Sequence, residues 1–199
     1  MTSASAEYFD GLYRDQDPFG YRSRWYETRK RDILLATLPR ARFARGWELG
    51  CSNGETTRGL AARCEALLAT DVSSQAVALA RQRVGERSNV QIVQAQHPQQ
   101  WPSGSFDLIV LSEVGYYLAL PDLTDMIERI QDALVPDGLF VACHWRHPFA
   151  EAHQDGNQVH AQIAAQLSLS LAYRYEDSDF LLEAWTTHPQ SVAQQEGLR

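Results

Sequence analysis

Apolar and polar positions follow one another along this chain in two rhythms. From Arg42 onward, short apolar runs of strand length take turns with stretches whose apolar residues recur every three or four positions. The strand-like runs are Phe43 to Leu49, Ala66 to Thr70, Val90 to Ala95, Phe106 to Leu111 and Leu139 to Cys143. Phe106 to Leu111, apolar but for Asp107, reads as a strand covered on both faces. Helices are predicted between them at Gly54 to Arg63, Gln75 to Val84 and Leu123 to Leu134. In the last, Met126, Ile127, Ile130 and Leu134 share one face. The Ser73 and Ser74 hydroxyls can satisfy the free amides that start the second. This alternation predicts a mostly parallel sheet with right-handed crossovers and helices on both faces, a Rossmann-like three-layer αβα sandwich.

The two ends break the rhythm. After a short helix at Gln158 to Gln166, Leu167, Leu169, Leu171, Tyr173 and Tyr175 alternate with polar or small residues. A polar turn at Glu176 to Asp179 leads into Phe180 to Thr186, so the pattern is an antiparallel hairpin. His188 to Arg199 reads as a loose tail. At the start, Met1 to Ala6 is expected to fray. Glu7 to Trp25 is aromatic and irregular, because Asp17-Pro18 and Gly20 interrupt any long helix. Tyr26 to Leu38 is a predicted helix with Ile33, Leu34 and Leu38 inward and Pro39 ending it. No repeat or linker divides residues 1–199, so one domain is expected, with 1–25 as a candidate lid.

Composition narrows the partners. The chain has 199 residues and a net charge of -7. It has no extended basic block, which argues against a nucleic-acid surface. The short run Arg29-Lys30-Arg31 reads as a solvated helix face. Without a long apolar stretch or a signal segment, a soluble cytoplasmic protein with no membrane partner is expected. Cys51, Cys64 and Cys143 are too few and too far apart for a disulfide framework or a zinc module. His144-x-x-His147 falls in a loop without a completing carboxylate, so no metal is expected.

The candidate chemistry lies in Gly46-Trp47-Glu48-Leu49-Gly50-Cys51-Ser52-Asn53-Gly54-Glu55, where a buried strand turns into a helix. A second strand ends about twenty residues later at Thr70-Asp71, a pairing that suits a nucleoside cofactor. As a dinucleotide fingerprint the turn fails twice, with Ser52 at the second glycine and Glu55 at the third. Glu48 and Glu55 would repel pyrophosphate. A cofactor without phosphate and with positive groups fits better, and S-adenosylmethionine (SAM) carries both a sulfonium and an ammonium. Glu48 can attract the ammonium, Gly50 and Gly54 let the methionine part lie against backbone, and Asp71 can accept both ribose hydroxyls.

These residues, with Thr70-Asp71-Val72, Phe106 to Leu118 and Leu134-Val135-Pro136-Asp137-Gly138, make the chain resemble the class I SAM-dependent methyltransferases. The run Ser112-Glu113-Val114-x-Tyr116-Tyr117-Leu118 is similar to that of the NodS-like nodulation N-methyltransferases. The resemblance covers roughly residues 17 to 186. It implies seven strands with the last antiparallel, SAM as cofactor and S-adenosylhomocysteine (SAH) as product. It also implies a cofactor site of Glu48, Gly50, Cys51, Ser52, Asn53, Gly54, Asp71, Val72 and Ser112. Two positions depart from the pattern. Ser52 stands where many members have glycine. Gln96 stands where an acidic residue normally receives the adenine amino group, although a glutamine carbonyl can still accept that bond. His97 either stacks beside the adenine or is a plain surface histidine. Cys51 reads as a small buried filler within the turn.

SAM brings its own reactivity, so the protein has to align donor and acceptor and exclude water. Glu113, at the end of the fourth strand, is the first candidate to contact the acceptor or take its proton; a structural carboxylate is the alternative. His144, at the end of the fifth, is the second candidate base. Trp25, Tyr26, Arg29 and the preceding aromatics (Tyr8, Phe9, Tyr13, Phe19 and Tyr21) precede the fold proper and are candidates to close over the cofactor, where an aromatic ring can face a sulfonium. The loop from Arg146 to Asn157 is another candidate lid. The reading is a small-molecule methyltransferase, an amine acceptor being what the resemblance implies, working as a monomer or homodimer. The rivals are an O-methyltransferase on the same fold and a SAM- or nucleotide-binding module without catalysis.

Overall fold

The computed structural model describes residues 2–199; Met1, part of the stretch expected to fray, lies outside them. The five strand-like runs become β1 (Phe43–Leu49), β2 (Cys64–Asp71), β3 (Val90–Gln94), β4 (Phe106–Ser112) and β5 (Leu134–Trp145), joined in parallel. β6 (Ser170–Glu176) and β7 (Phe180–Thr186) form the expected hairpin, and β7 runs antiparallel to β5. The sheet order is β3-β2-β1-β4-β5-β7-β6. The order reverses between β1 and β4, and the crevice beyond such a switch point is where open α/β sheets bind ligands.

Strand alternation divides the core between two faces. Ile109 and Leu111 of β4 pack on one side with α5 (Leu120–Ala133) and α6 (Gly156–Gln166). Leu108 and Val110 pack on the other with Leu34 and Leu38 from α2 (Trp25–Thr37) and its end, and Leu60 of α3 (Glu55–Leu60). α4 (Ser74–Val84) closes a third cluster on Ala69 through Val77 and Ala80. The Ser73 hydroxyl caps α4 by accepting from the Ala76 amide at 3.1 Å.

Four expectations change. Residues 3–6 do not fray: the Ala4 amide donates to Tyr117 O at 3.0 Å, and the Ser3 hydroxyl bonds Asp122. The aromatic segment contains a helix, α1 (Ala6–Leu12), started by a Ser5 cap. The basic run is not a solvated face, because Lys30 is only 5% exposed. α2 buries Glu27, Lys30 and Leu34, which lie at helical spacing on one face. The tail carries a short helix, α7 (Val192–Gln195), behind a capping box. No described helix is long and apolar enough to cross a membrane.

Candidate active site

The turn after β1 is built on left-handed backbone. Gly50 has φ 75°, Ser52 51° and Gly54 82°. A side chain at Gly50 would run into Val114, and one at Gly54 would meet the Ala80 Cα at 2.9 Å. Both glycines are therefore required by close approach as well as by φ. Ser52 holds a conformation that costs a non-glycine residue about 1 kcal/mol. Two bonds offset this: its amide donates to Asp71 Oδ2 at 2.8 Å, and its hydroxyl accepts from Tyr13 at 2.7 Å.

The turn's amides are already engaged. Gly50 and Cys51 donate to Thr70 O at 2.8 and 2.9 Å, and Gly54 donates to Cys51 O at 2.9 Å. With Ser52 bound to Asp71, the turn offers little to a pyrophosphate. The expected role of Glu55 needs correction here. It pairs with Arg22 at 3.3 Å and Arg83 at 2.6 Å, so its charge is neutralised within the protein and does not repel a ligand. The case against phosphate now rests on the engaged amides and on Glu48.

Glu48 is 2% exposed, and its side chain has one hydrogen-bond partner, the Thr57 hydroxyl at 2.6 Å. Burial pushes its carboxyl up to about 8, against the lowering effect of Thr57. Among the described residues no cation pairs with it, although Lys30 and Arg31 line the same recess; the unpaired carboxyl holds its proton, and a positive group placed beside it would favour the charged form. Asp71 ends β2, and burial raises it to about 6 although the Ser73 and Ser52 amides bond it. Asp71, Val72, Gln96, His97, Ser112 and Glu113 line one cleft with Gly50 and Ser52. Glu48, Cys51 and Asn53 line its adjoining recess. The Cys51 thiol is pushed well above its ordinary value by burial, and next by Asp71 and Glu48, as befits a filler.

His97 is neither a surface residue nor free to stack face-on. Its ring packs edge-on to Trp47 and Trp101, and Nε2 lies 2.9 Å from the Thr70 hydroxyl. That hydroxyl already donates to Glu48 O at 3.3 Å and accepts from the Trp47 indole at 3.1 Å. The Thr70 hydroxyl thus joins His97 to the strand-end cluster, and Nδ1 has no hydrogen-bond partner among the described residues. Burial lowers this histidine to about 4, so the ring is neutral.

The N-terminal segment covers the cleft with aromatics of the stretch expected to act as a lid. Tyr13, Phe19 and Tyr21 line it. Asp10 anchors α1 to the start of α4, accepting from the Ser73 hydroxyl at 2.5 Å. Asn53 donates to Gln16 O at 3.3 Å and Asp17 Oδ1 at 3.0 Å, so its side chain holds this segment. Three expected cofactor residues lie elsewhere. Trp25 is 74% exposed at the start of α2. Arg29 is drawn to the hairpin, bonding Asp177 at 2.8 Å and Tyr175 at 2.6 Å. Tyr26 packs edge-on to Trp145 and Phe180 and lines an outer mouth, not the cleft.

The mouth and the cleft meet at Tyr21, Glu113 and Tyr117, which line both. Glu113 has φ 61°, a strained conformation of the kind that gathers at functional sites. Its carboxylate accepts from Lys30 at 2.8 Å, from the Tyr116 hydroxyl, and from the Trp145 amide at 3.3 Å. Lys30 also pairs with Glu27 at 2.9 Å, and its ammonium lies 5.8 and 5.2 Å from the Tyr21 and Tyr26 ring centres. Burial lowers the Lys30 pKa, but Glu113 and Glu27 outweigh it and raise the group above its ordinary value. Glu27 and Lys30 escape a sequence reading because charged residues on a helix suggest solvent. The usable signal was the spacing of Glu27, Lys30 and Leu34.

His144 does not reach the cleft. It is fully buried beneath the 3-10 turn Gly115–Tyr117, and its Nε2 accepts from the Gly115 amide at 3.0 Å. A side chain committed in this way cannot receive a proton from an acceptor. Among the described residues, no group of three or more His, Cys, Asp or Glu is arranged to hold a metal ion.

Comparison with known proteins agrees with this geometry. The family described as "Methyltransferase domain" matches residues 47–140. Nodulation protein S of Sinorhizobium fredii is 31% identical over 128 residues, 63% of this chain and 59% of that protein. Its counterpart from Rhizobium tropici is 30% identical over 129 residues, 63% of this chain and 53% of that protein. The matched segment thus spans little more than half the length of these relatives. A solved structure from Pseudomonas syringae, classed as a methyltransferase, is 46% identical with a TM-score of 0.73, covering 81% of this chain and 99% of that one. The N-methyltransferase NodS from Bradyrhizobium japonicum WM9, solved in complex with SAH, is 25% identical with a TM-score of 0.81, covering 90% of this chain and 96% of that one. With this sheet order, this turn and these relatives, the chain belongs to the class I SAM-dependent methyltransferases and is similar to their NodS-like members.

Proposed function

We propose that the protein is a SAM-dependent methyltransferase whose acceptor is a small-molecule amine, acting in the cytoplasm without nucleic-acid or membrane partners. The observation that carries the cofactor is Glu48, a buried carboxyl group with no ion-pair partner among the described residues. In this reading Glu48 holds the ammonium and Asp71 the ribose hydroxyls, while Gly50 and Gly54 keep the backbone open to the methionine part. The Gln96 side chain lines the cleft, and its carbonyl can accept from the adenine amino group. When bound, SAM supplies an electrophilic methyl group on a sulfonium.

The acceptor is read from the mouth. Two carboxylates, Glu27 and Glu113, share the single ammonium of Lys30, and Glu151 and Asp179 stand among the mouth's other residues. Such an acidic opening between aromatic rings draws a protonated amine. Glu113 sits where mouth and cleft meet. It orients the amine, and the Glu27–Glu113 pair receives the proton that has to leave before nitrogen can attack. Tyr13 and the segment around it exclude water from the cleft.

Calorimetry with SAM, SAH and NAD tests the cofactor reading. Tight binding of SAM and SAH with none of NAD is expected. NAD binding without SAM binding would overturn it.

A further inference from the structure

His144 leaves unexplained why the chain buries a second histidine and a glutamate against the first, with a half-exposed arginine at the far end. His144 Nδ1 lies 3.1 Å from His160 Nε2. His160 Nδ1 lies 2.7 Å from Glu183 Oε2, and Glu183 Oε1 accepts from Arg174 at 3.0 Å. His144, His160 and Glu183 are at most 5% exposed. The chain crosses four elements, from β5 through α6 to β7 and β6.

Its polarity is fixed at one end. The Gly115 amide can only donate, so His144 Nε2 must accept and the ring proton must sit on Nδ1. His160 Nε2 must then accept, and its own proton sits on Nδ1, directed at Glu183. Each donor therefore finds an acceptor, and every hydrogen bond points the same way toward a carboxylate paired with Arg174. Burial, with His160 and Lys30 nearby, pushes His144 well below its ordinary value, in keeping with a neutral ring. Packing locks the end of the chain. A side chain on Gly115 would meet Val159 Cγ1 at 2.6 Å and His144 Nε2 at 2.9 Å.

We infer that His144, His160 and Glu183 form a positioning relay that sets the turn Gly115–Tyr117 against the active-site cleft. That turn carries Tyr116, whose hydroxyl holds Glu113, and Tyr117, which lines both cleft and mouth. The relay residues touch neither ligand and act through the Gly115 amide. Only the affinity readout below rests on the proposed cofactor.

The test begins with nitrogen NMR of the histidine rings in the wild-type protein. Both His144 and His160 should carry their proton on Nδ1, and an Nε2 proton on either overturns the relay whether or not the protein binds SAM. In His160→Leu, hydrogen exchange at the Gly115 amide should speed up at least about tenfold while Val141 in β5 stays protected. SAH affinity should fall about tenfold in the same variant. His160→Gln keeps one acceptor and one donor and should recover most of both. Unchanged Gly115 exchange in a folded His160→Leu would refute the inference. If that variant fails to fold, the wild-type ring protons and His160→Gln decide it. Wild-type protein that shows the expected ring protons yet binds no SAH would count against the cofactor reading alone.

Discussion

Glu48 carries the most information of any residue, because it is a buried acid at the cofactor turn whose charged form calls for a positive partner. Its carboxyl stands at about 8, above the unfolded value of 4.5. A raised carboxyl pKa favours the folded state at low pH, and that contribution is lost as pH rises through about 8. Wild-type protein without ligand should therefore lose stability relative to Glu48→Gln between about pH 5 and pH 8.5, by a few kcal/mol at most. Urea midpoints at the two pH values read this difference. The same substitution should weaken SAH binding about tenfold or more, since a bond to a charged group is lost. Stability gained and affinity lost together would mark the carboxylate as functional. Glu48 and Asp71 are legible in the sequence because each ends an apolar strand beside the glycine turn. Glu55 is misleading there, since its partners Arg22 and Arg83 lie far from it in the chain.

Among the elements, the alternating strands and helices declare themselves through periodicity, and the hairpin through its polar turn. What periodicity hides is α2, whose buried face begins with Glu27 and Lys30 before it reaches Leu34. A charged pair that neutralises itself inside looks, in sequence, like one that faces water. What fastens the lid is hidden for another reason. Its hold on the cleft comes from contacts distant in sequence, such as Tyr13 on Ser52 and Asp10 on Ser73. Tyr13→Phe removes one of these and should speed SAH release about two- to tenfold in stopped-flow measurements, with little effect on melting temperature. Gly54→Ala tests the turn itself. A methyl at φ 82° and 2.9 Å from the Ala80 Cα should destabilise the α3–α4 junction by about 1–3 kcal/mol, seen as a lower melting temperature.

At the scale of the whole molecule, the switch in strand order between β1 and β4 brings the ends of β1, β2 and β4 to one crevice. The N-terminal segment covers it, and α2 supplies the acidic, aromatic mouth beside it. The fold alone would serve many chemistries; in the proposed reading the carboxyl groups of Glu48, Glu27 and Glu113 select cationic partners on both sides of the methyl transfer. The most direct test is transfer of a labelled methyl group from SAM to a panel of small amines and matched alcohols, with wild type and Glu113→Gln side by side. Label should enter the amines and drop about a hundredfold or more in the variant. Label appearing only in the alcohols, or an undiminished rate in Glu113→Gln, would contradict the account.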